Sequence, residues 1–285
     1  MLKLTNKAVI VQLSIGVPTL TRLDRAISSK LTADAGAVDG SIRGYKSLLP
    51  NADLLKQITT LKNSIRSKFY TNTLPWGIKG TYILPTRNYM DFVSDFKQDR
   101  HKFLGMAAKF SDSYSDMVHA ASVSLGKGFN AADYPTQENL EASFYMNMRT
   151  SSLPAEDFRY NDMSDEEEQA IRDSVTQEVT DAAQVAMTEV WQRLYDRTKR
   201  FADKLNDPAA VFNNSTIELL TELCSILPRL NFADDPNLED MRQQVERTLT
   251  GYHPDHFRND PVFRKDRGQA ASDIVAQMAA FMEPS

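Results

Sequence analysis

Residues 164–205 read SDEEEQAIRDSVTQEVTDAAQVAMTEVWQRLYDRTKRFADKL, with neither proline nor glycine. Ser164 followed three residues later by Glu167 is a capping box: the serine oxygen accepts from a free N–H of the first turn and the glutamate reaches back to the cap. Asp165, Glu166, Glu167 and Glu168 put negative charge at the positive end of the helix dipole. Ile171, Val175, Val179, Ala182, Ala186, Val190, Leu194, Phe201 and Leu205 recur mostly at three- and four-residue steps, which is one helical face. Asn206-Asp207-Pro208 ends the run, because the residue before proline is driven out of the helical region. At 1.5 Å per residue such a helix is roughly 60 Å long. A compact chain of 285 residues has a radius of gyration of about 19 Å, so the helix predicts an elongated, mainly α protein.

A stripe of this length needs cover. From Arg87 to Leu125, Tyr89, Val93, Phe96, Phe103, Ala107, Phe110, Tyr114, Met117 and Ala121 follow a spacing close to 3.5 residues, interrupted by Arg100 and weakened at Gly105. That period suits antiparallel packing of two long helices. Gly126 and Gly128 supply the C-terminal stop. The same aromatic stripe would serve as a stacking platform for bases, but core packing already accounts for its spacing.

Around this pair the chain divides into three portions. Residues 1–86 read as a small α+β portion, with strands at Ala8–Ile15 and Gly80–Leu84 that can pair, a helix from Asp53 to Phe69, and a Pro75-Trp76-Gly77 turn. Residues 87–207 form the long-helix hairpin, with a shorter connecting helix over Thr136–Arg149 after Tyr134-Pro135. Residues 208–285 read as three helices, Ser215–Leu227, Asn237–Leu249 and Arg267–Met282, punctuated by Pro228, Pro236, Pro254 and Pro261. No repeat or low-complexity segment is visible.

Composition sets the outer bounds. A hydrophobic content of 41% with 12 prolines is that of a folded domain. No apolar stretch has transmembrane length, and Ala8–Leu13 is too short and lacks the flanks of a signal peptide. The expectation is a cytoplasmic protein without membrane contact. The single cysteine, Cys224, excludes an internal disulfide framework and sits in an apolar run as a small hydrophobe. The net charge of −5 hides an asymmetry: residues 1–150 carry 19 Lys and Arg against 12 Asp and Glu, residues 151–285 carry 14 against 26. Such a split fits either a nucleic-acid surface or electrostatic complementarity within or between chains. Without a dense basic run, complementarity is the better reading.

Chemistry-bearing motifs are sparse. His253 and His256 have a spacing that can clamp a metal, with Asp260 near, but three or four ligands are needed. Gly126-Lys127-Gly128 follows a helix and lacks the full phosphate-loop pattern. Asp234-Asp235-Pro236-Asn237-Leu238-Glu239-Asp240 has the oxygens for a divalent ion, and equally the make-up of a helix start with Asp235 as cap and proline in the first turn. Phe257, Arg258, Phe263, Arg264, Lys265 and Arg267 interleave aromatics with cations, as single-stranded nucleic-acid sites do; the competing reading is a turn with its phenylalanines packed inward. These six are the candidate contacts for nucleic acid or a protein partner. Lys62, Arg66 and Lys68 beside Phe69 and Tyr70 are a weaker group. No catalytic constellation, cofactor site or metal site is expected.

Leu74-Pro75-Trp76 followed by Gly80-Thr81-Tyr82-Ile83-Leu84-Pro85, the Phe129–Pro135 segment, Leu227-Pro228-Arg229-Leu230-Asn231 leading into Asp234-Asp235-Pro236, and the closing Ala270–Met282 helix together resemble an uncharacterised phage and prophage family, catalogued as a domain of unknown function (number 3150). The resemblance covers nearly the whole chain and brings no catalytic residues. It implies a phage-encoded protein in the bacterial host cytoplasm, in a family often encoded beside MoxR-type AAA+ ATPases. The resulting expectation is a non-enzymatic interaction or assembly protein, a helical bundle with coiled-coil-like contacts that serves as adaptor or substrate of such a remodelling system. Its alternative is a single-stranded nucleic-acid-binding protein of phage DNA metabolism.

Overall fold

A computed structural model describes residues 6–154 and 163–282. Helices dominate, and a small sheet region lies towards the N-terminal end, as the sequence predicts. In chain order the elements are β1 (Ala8–Gly16), β2 (Thr21–Asp24), α1 (Arg25–Asp34), β3 (Gly44–Ser47), α2 (Asp53–Asn72), β4 (Leu74–Pro75), β5 (Tyr82–Pro85), α3 (Thr86–Asp112), α4 (Tyr114–Ser124) and α5 (Gln137–Ser143). β6 (Tyr145–Ser151), α6 (Asp165–Asn206), α7 (Asn214–Leu230), α8 (Pro236–Val245), α9 (Pro254–Asn259) and α10 (Pro261–Met282) follow. One sheet has the order β4-β5-β1-β6 and a second holds β2 and β3. β1 pairs antiparallel with β5 from Ala8 opposite Pro85 to Val11 opposite Tyr82.

The chain forms two compact units. The first comprises Met1–Gln12, Tyr70–Phe92 and Arg149–Ser285; the second comprises Leu13–Phe69 and Val93–Met148.

The first unit is organised by α6. Its capping box is present: Ser164 Oγ accepts from Glu167 N, and Ser164 N donates to Glu167 Oε2 at 3.1 Å. The bond from the Ser164 backbone holds the Glu167 carboxyl below its ordinary range. Ala182, Ala186, Val190, Leu194, Phe201 and Leu205 are buried. They face α10, α7 and β4. α6 and α10 run antiparallel: Gly268 abuts Leu205 and Asn206 near one end of α6, and Phe281 stacks on Trp191 at 5.6 Å farther back. The helices approach closely because Gly268 has no side chain. An added Cβ would stand 3.2 Å from Leu205 Cβ and would overlap Asn206 Oδ1. Asn206 then bridges the pair by donating to Ser272 Oγ and the Gly268 carbonyl.

The expected partner of α6 was the stripe of residues 87–125, and the structure assigns that stripe from Val93 onward to the second unit. Phe103, Ala107, Phe110, Tyr114 and Ala121 belong to the core of the second unit, with Ile58, Ile65, Leu140, Phe144 and Met146. The 87–125 run is also two helices. Ser113 Oγ donates to the carbonyls of Lys109 and Phe110, and Gln137 Nε2 donates to the Ser111 carbonyl, closing α3 before α4 begins. Gly105 sits inside α3 without breaking it. Gly126, at φ +49°, turns the chain after α4, which is the helix stop expected there.

Three local readings change. Helix over Thr136–Arg149 is confined to α5, and Tyr145–Ser151 is strand β6, with Met146 turned into the core. The final helix starts at Pro261 instead of Arg267, because Asp260 Oδ1 accepts from the N–H groups of Val262 and Phe263. α7 continues through Pro228 to Leu230. Proline lacks the N–H that would satisfy the carbonyl four residues back, and that Cys224 carbonyl instead accepts from Arg242 Nη1 at 3.4 Å. β2, α1, β3 and α9 were not anticipated.

The cluster Asp234-Asp235-Pro236 is structural. Asp235 caps α8 and accepts from Trp191 Nε1 at 2.9 Å. Asp234, at φ +57°, pairs with Lys7 and Arg87. The hydrogen bonds from Lys7 and then Arg87 hold its carboxyl below the ordinary range.

Two outcomes follow. Gly268→Val lowers unfolding stability in urea by about 1–3 kcal/mol; an unchanged midpoint would mean α6 and α10 do not approach closely. Cys224 is buried, and desolvation pushes its thiol up to about 12. Because the thiolate is the reactive form, a thiol reagent at pH 8 labels the native protein far more slowly than the urea-unfolded chain, whereas equal rates would place Cys224 at the surface.

Candidate functional site

The six candidate contact residues lie in the first unit, on α9 and the first turns of α10. Their backbone is set by two helix starts: His253 Nδ1 accepts from Asp255 N and Pro254 opens α9, then Asp260 caps α10. Phe257 is 0% exposed. It stacks on Phe212 with centroids 4.8 Å apart, and Phe201, Tyr252 and Phe263 meet it edge-on at 5.8, 6.2 and 5.3 Å. Such a ring has no free face for a base.

The three arginines are engaged by neighbouring groups. Arg264 Nε donates to the Leu205 carbonyl, while Nη2 meets the carbonyls of Lys204, Asp207 and Ala210 at 2.7, 2.7 and 3.0 Å. These carbonyls belong to the C-terminal end of α6 and its following turn, where helix carbonyls lack intrahelical partners and a positive charge complements the helix dipole; the Asp207 carbonyl also accepts from Ala210 N. Arg258 donates to the Phe212 carbonyl, to Asp255 and to Asn214. Arg267 pairs with Asp266 and lies over the rings of Tyr252 and Phe263, 5.6 and 5.5 Å from their centroids. Of the six, Arg258 and Lys265 are exposed, and Arg258 is nonetheless held by its hydrogen bonds. The structure therefore brings five of them together as a junction that ends α6 and seats α10.

The other sequence motifs resolve similarly. His256 rests on Phe263 and His253 caps α9. Among the described residues no three His, Cys, Asp or Glu side chains are grouped to hold a metal ion. Lys68 pairs with Asp99 at 2.8 Å. Among the described residues no helix is long and apolar enough to cross a membrane.

Two surface features escaped the sequence reading, both in the second unit. The excursion β2–α1–β3 exposes Leu23, Ile27, Leu31, Val38 and Tyr45, at 41–82% of their full areas. Leu23 lies directly opposite Tyr45 across the two strands. Ile27 and Leu31 sit one turn apart on α1, against Gly44. The excursion is well anchored: Asp24 caps α1, Ser28 Oγ accepts from Gly44 N, and Arg22 and Lys46 converge on Asp133. Arg25, Lys30 and Arg43 are exposed there and have no ion pair among the described residues. The second feature is a cleft of about 370 Å³ between α3 and α5. Repeating apolar residues at i and i+4 on α1 were the available signal for the first; the cleft joins residues too distant in sequence to be foreseen.

No family model matches the chain, and no curated protein or solved structure matches it.

Loss of the Arg264 guanidinium leaves the carbonyls of Lys204, Leu205 and Ala210 without it, so Arg264→Ala costs about 2–3 kcal/mol of stability, and Phe257→Ala about 3–5 kcal/mol. Lys265→Ala stays within about 0.5 kcal/mol. Chemical denaturation of the three variants checks the ranking; a neutral Phe257→Ala would return that ring to the surface.

Proposed function

We propose that the protein is a non-enzymatic interaction protein that docks a protein partner on the β2–α1–β3 excursion. The observation that carries this is the concentration of exposed Leu23, Ile27, Leu31, Val38 and Tyr45 within one short, firmly anchored segment. Isolated exposed apolar side chains are ordinary, whereas a contiguous group rimmed by polar residues marks an interaction surface. The flanking Arg25, Lys30 and Arg43 favour an acidic partner, since unpaired surface cations speed and orient encounter with a complementary patch. The family resemblance supplies the context: a phage-type adaptor or substrate of a MoxR-class AAA+ machine in the host cytoplasm.

Single-stranded nucleic acid is the second reading, supported by the same unpaired cations. It predicts affinity for a labelled oligonucleotide that falls steeply with salt. The aromatic stacking expected at Phe257 has no part in it.

The pair Leu31→Glu and Tyr45→Ser separates the two. Both positions are exposed, so stability moves by about 0.5 kcal/mol or less each. Co-purification of the partner ATPase, read by size exclusion with light scattering, weakens at least tenfold. Undiminished co-purification, or a wild-type monomer that captures no partner, would overturn the docking reading.

A further inference from the structure

The cleft of about 370 Å³ in the second unit is lined by Leu104, Ala107, Ala108 and Phe144, with Ser111, Asp112 and Glu141 at its polar edge. Ser111 is buried on the α3 side. Its Oγ donates to Glu141 Oε1 at 3.0 Å, and Gln137 Nε2 donates to the same oxygen at 2.8 Å. Gln137 Nε2 also reaches Ser111 Oγ at 2.8 Å and the Ser111 carbonyl at 3.1 Å. One oxygen of Glu141 is thereby fixed by two neutral donors.

Neither Glu141 nor Asp112 meets a cation among the described residues. Asp112 is the last residue of α3, where the helix dipole adds partial negative charge. Lys109, the basic residue in the last turn of α3, is not among the residues that line the cleft. The result is a partly apolar trough edged by two exposed carboxylates that no side chain among the described residues neutralises. A volume in this range suits a small organic ligand. A hydrated divalent ion would need converging oxygens and would have no use for Leu104, Ala107, Ala108 and Phe144 as walls.

We propose that this cleft binds a short aliphatic diamine or polyamine, its methylene chain lying on the apolar wall and its ammonium groups meeting Glu141 and Asp112. The site is separate from the docking excursion and does not depend on it. Ser111 and Gln137 act by orienting Glu141, and no bond is made or broken.

Calorimetric titration of the full chain with 1,4-diaminobutane and with spermidine tests this directly, with magnesium chloride and 1-butanol as parallel probes. The amines bind with an affinity that falls as salt rises, while magnesium and butanol bind at least tenfold more weakly. Glu141→Gln and Asp112→Asn each weaken the amines at least tenfold. Ala108→Phe, at an exposed helix position that lines the cleft, abolishes binding while the circular dichroism spectrum and melting temperature stay unchanged. Magnesium binding as tight as the amines would reduce the site to surface acidity. Amine binding indifferent to Ala108→Phe, or absent in the wild-type chain, would overturn the proposal.

Discussion

A helix of forty-two residues with apolar positions along one face cannot be stable by propensity alone; something must remove that face from water. In the first unit the cover is α10, and its approach is set at Gly268 against Leu205 and Asn206. Arg264 adds a polar clasp at the same end. It stands in the first turn of α10 and satisfies the carbonyls with which α6 closes. Apolar contact and carbonyl capping therefore act on one pair of helices, and loss of either exposes the other.

The aromatic junction of Phe201, Phe212, Tyr252, Phe257 and Phe263 fills the space behind that clasp. Interleaved arginines in its sequence have a structural explanation here. Each guanidinium meets a carbonyl, a carboxylate or a ring already ordered by packing. The Asp234-Asp235-Pro236 loop shows the same economy. One carboxylate binds two cations, and the next caps α8 while anchoring Trp191.

Legibility in the sequence followed how local the cause was. Ser164 with Glu167, Asp207 before Pro208, Asp235 before Pro236, and Gly126 after α4 act over a few residues, and each reads correctly from the chain. The partner of the α6 stripe was not legible, because a 3.5-residue apolar period is met equally well by any helix with a matching face. β6 was missed because Tyr145-Met146-Asn147-Met148-Arg149 contains no β-branched residue, and only the burial of Met146 selects the strand. Alternating aromatics and cations at residues 257–267 resembled a nucleic-acid surface because their partners, the carbonyls of residues 204–212, are about fifty residues away. The α3–α5 cleft depends on Ser111, Gln137 and Glu141 meeting across a turn, so no spacing announces it.

Both proposed surfaces belong to the second unit, while the first is occupied with covering its own long helix. Native-state hydrogen exchange across that pair bears most directly on this division. If α6 and α10 cover each other, the amides of residues 190–205 and 268–278 exchange through one cooperative opening with the same free energy, and both lose protection together in Arg264→Ala. Rapid exchange along α10 while α6 stays protected would contradict it, because the apolar face of α6 would then have its cover elsewhere.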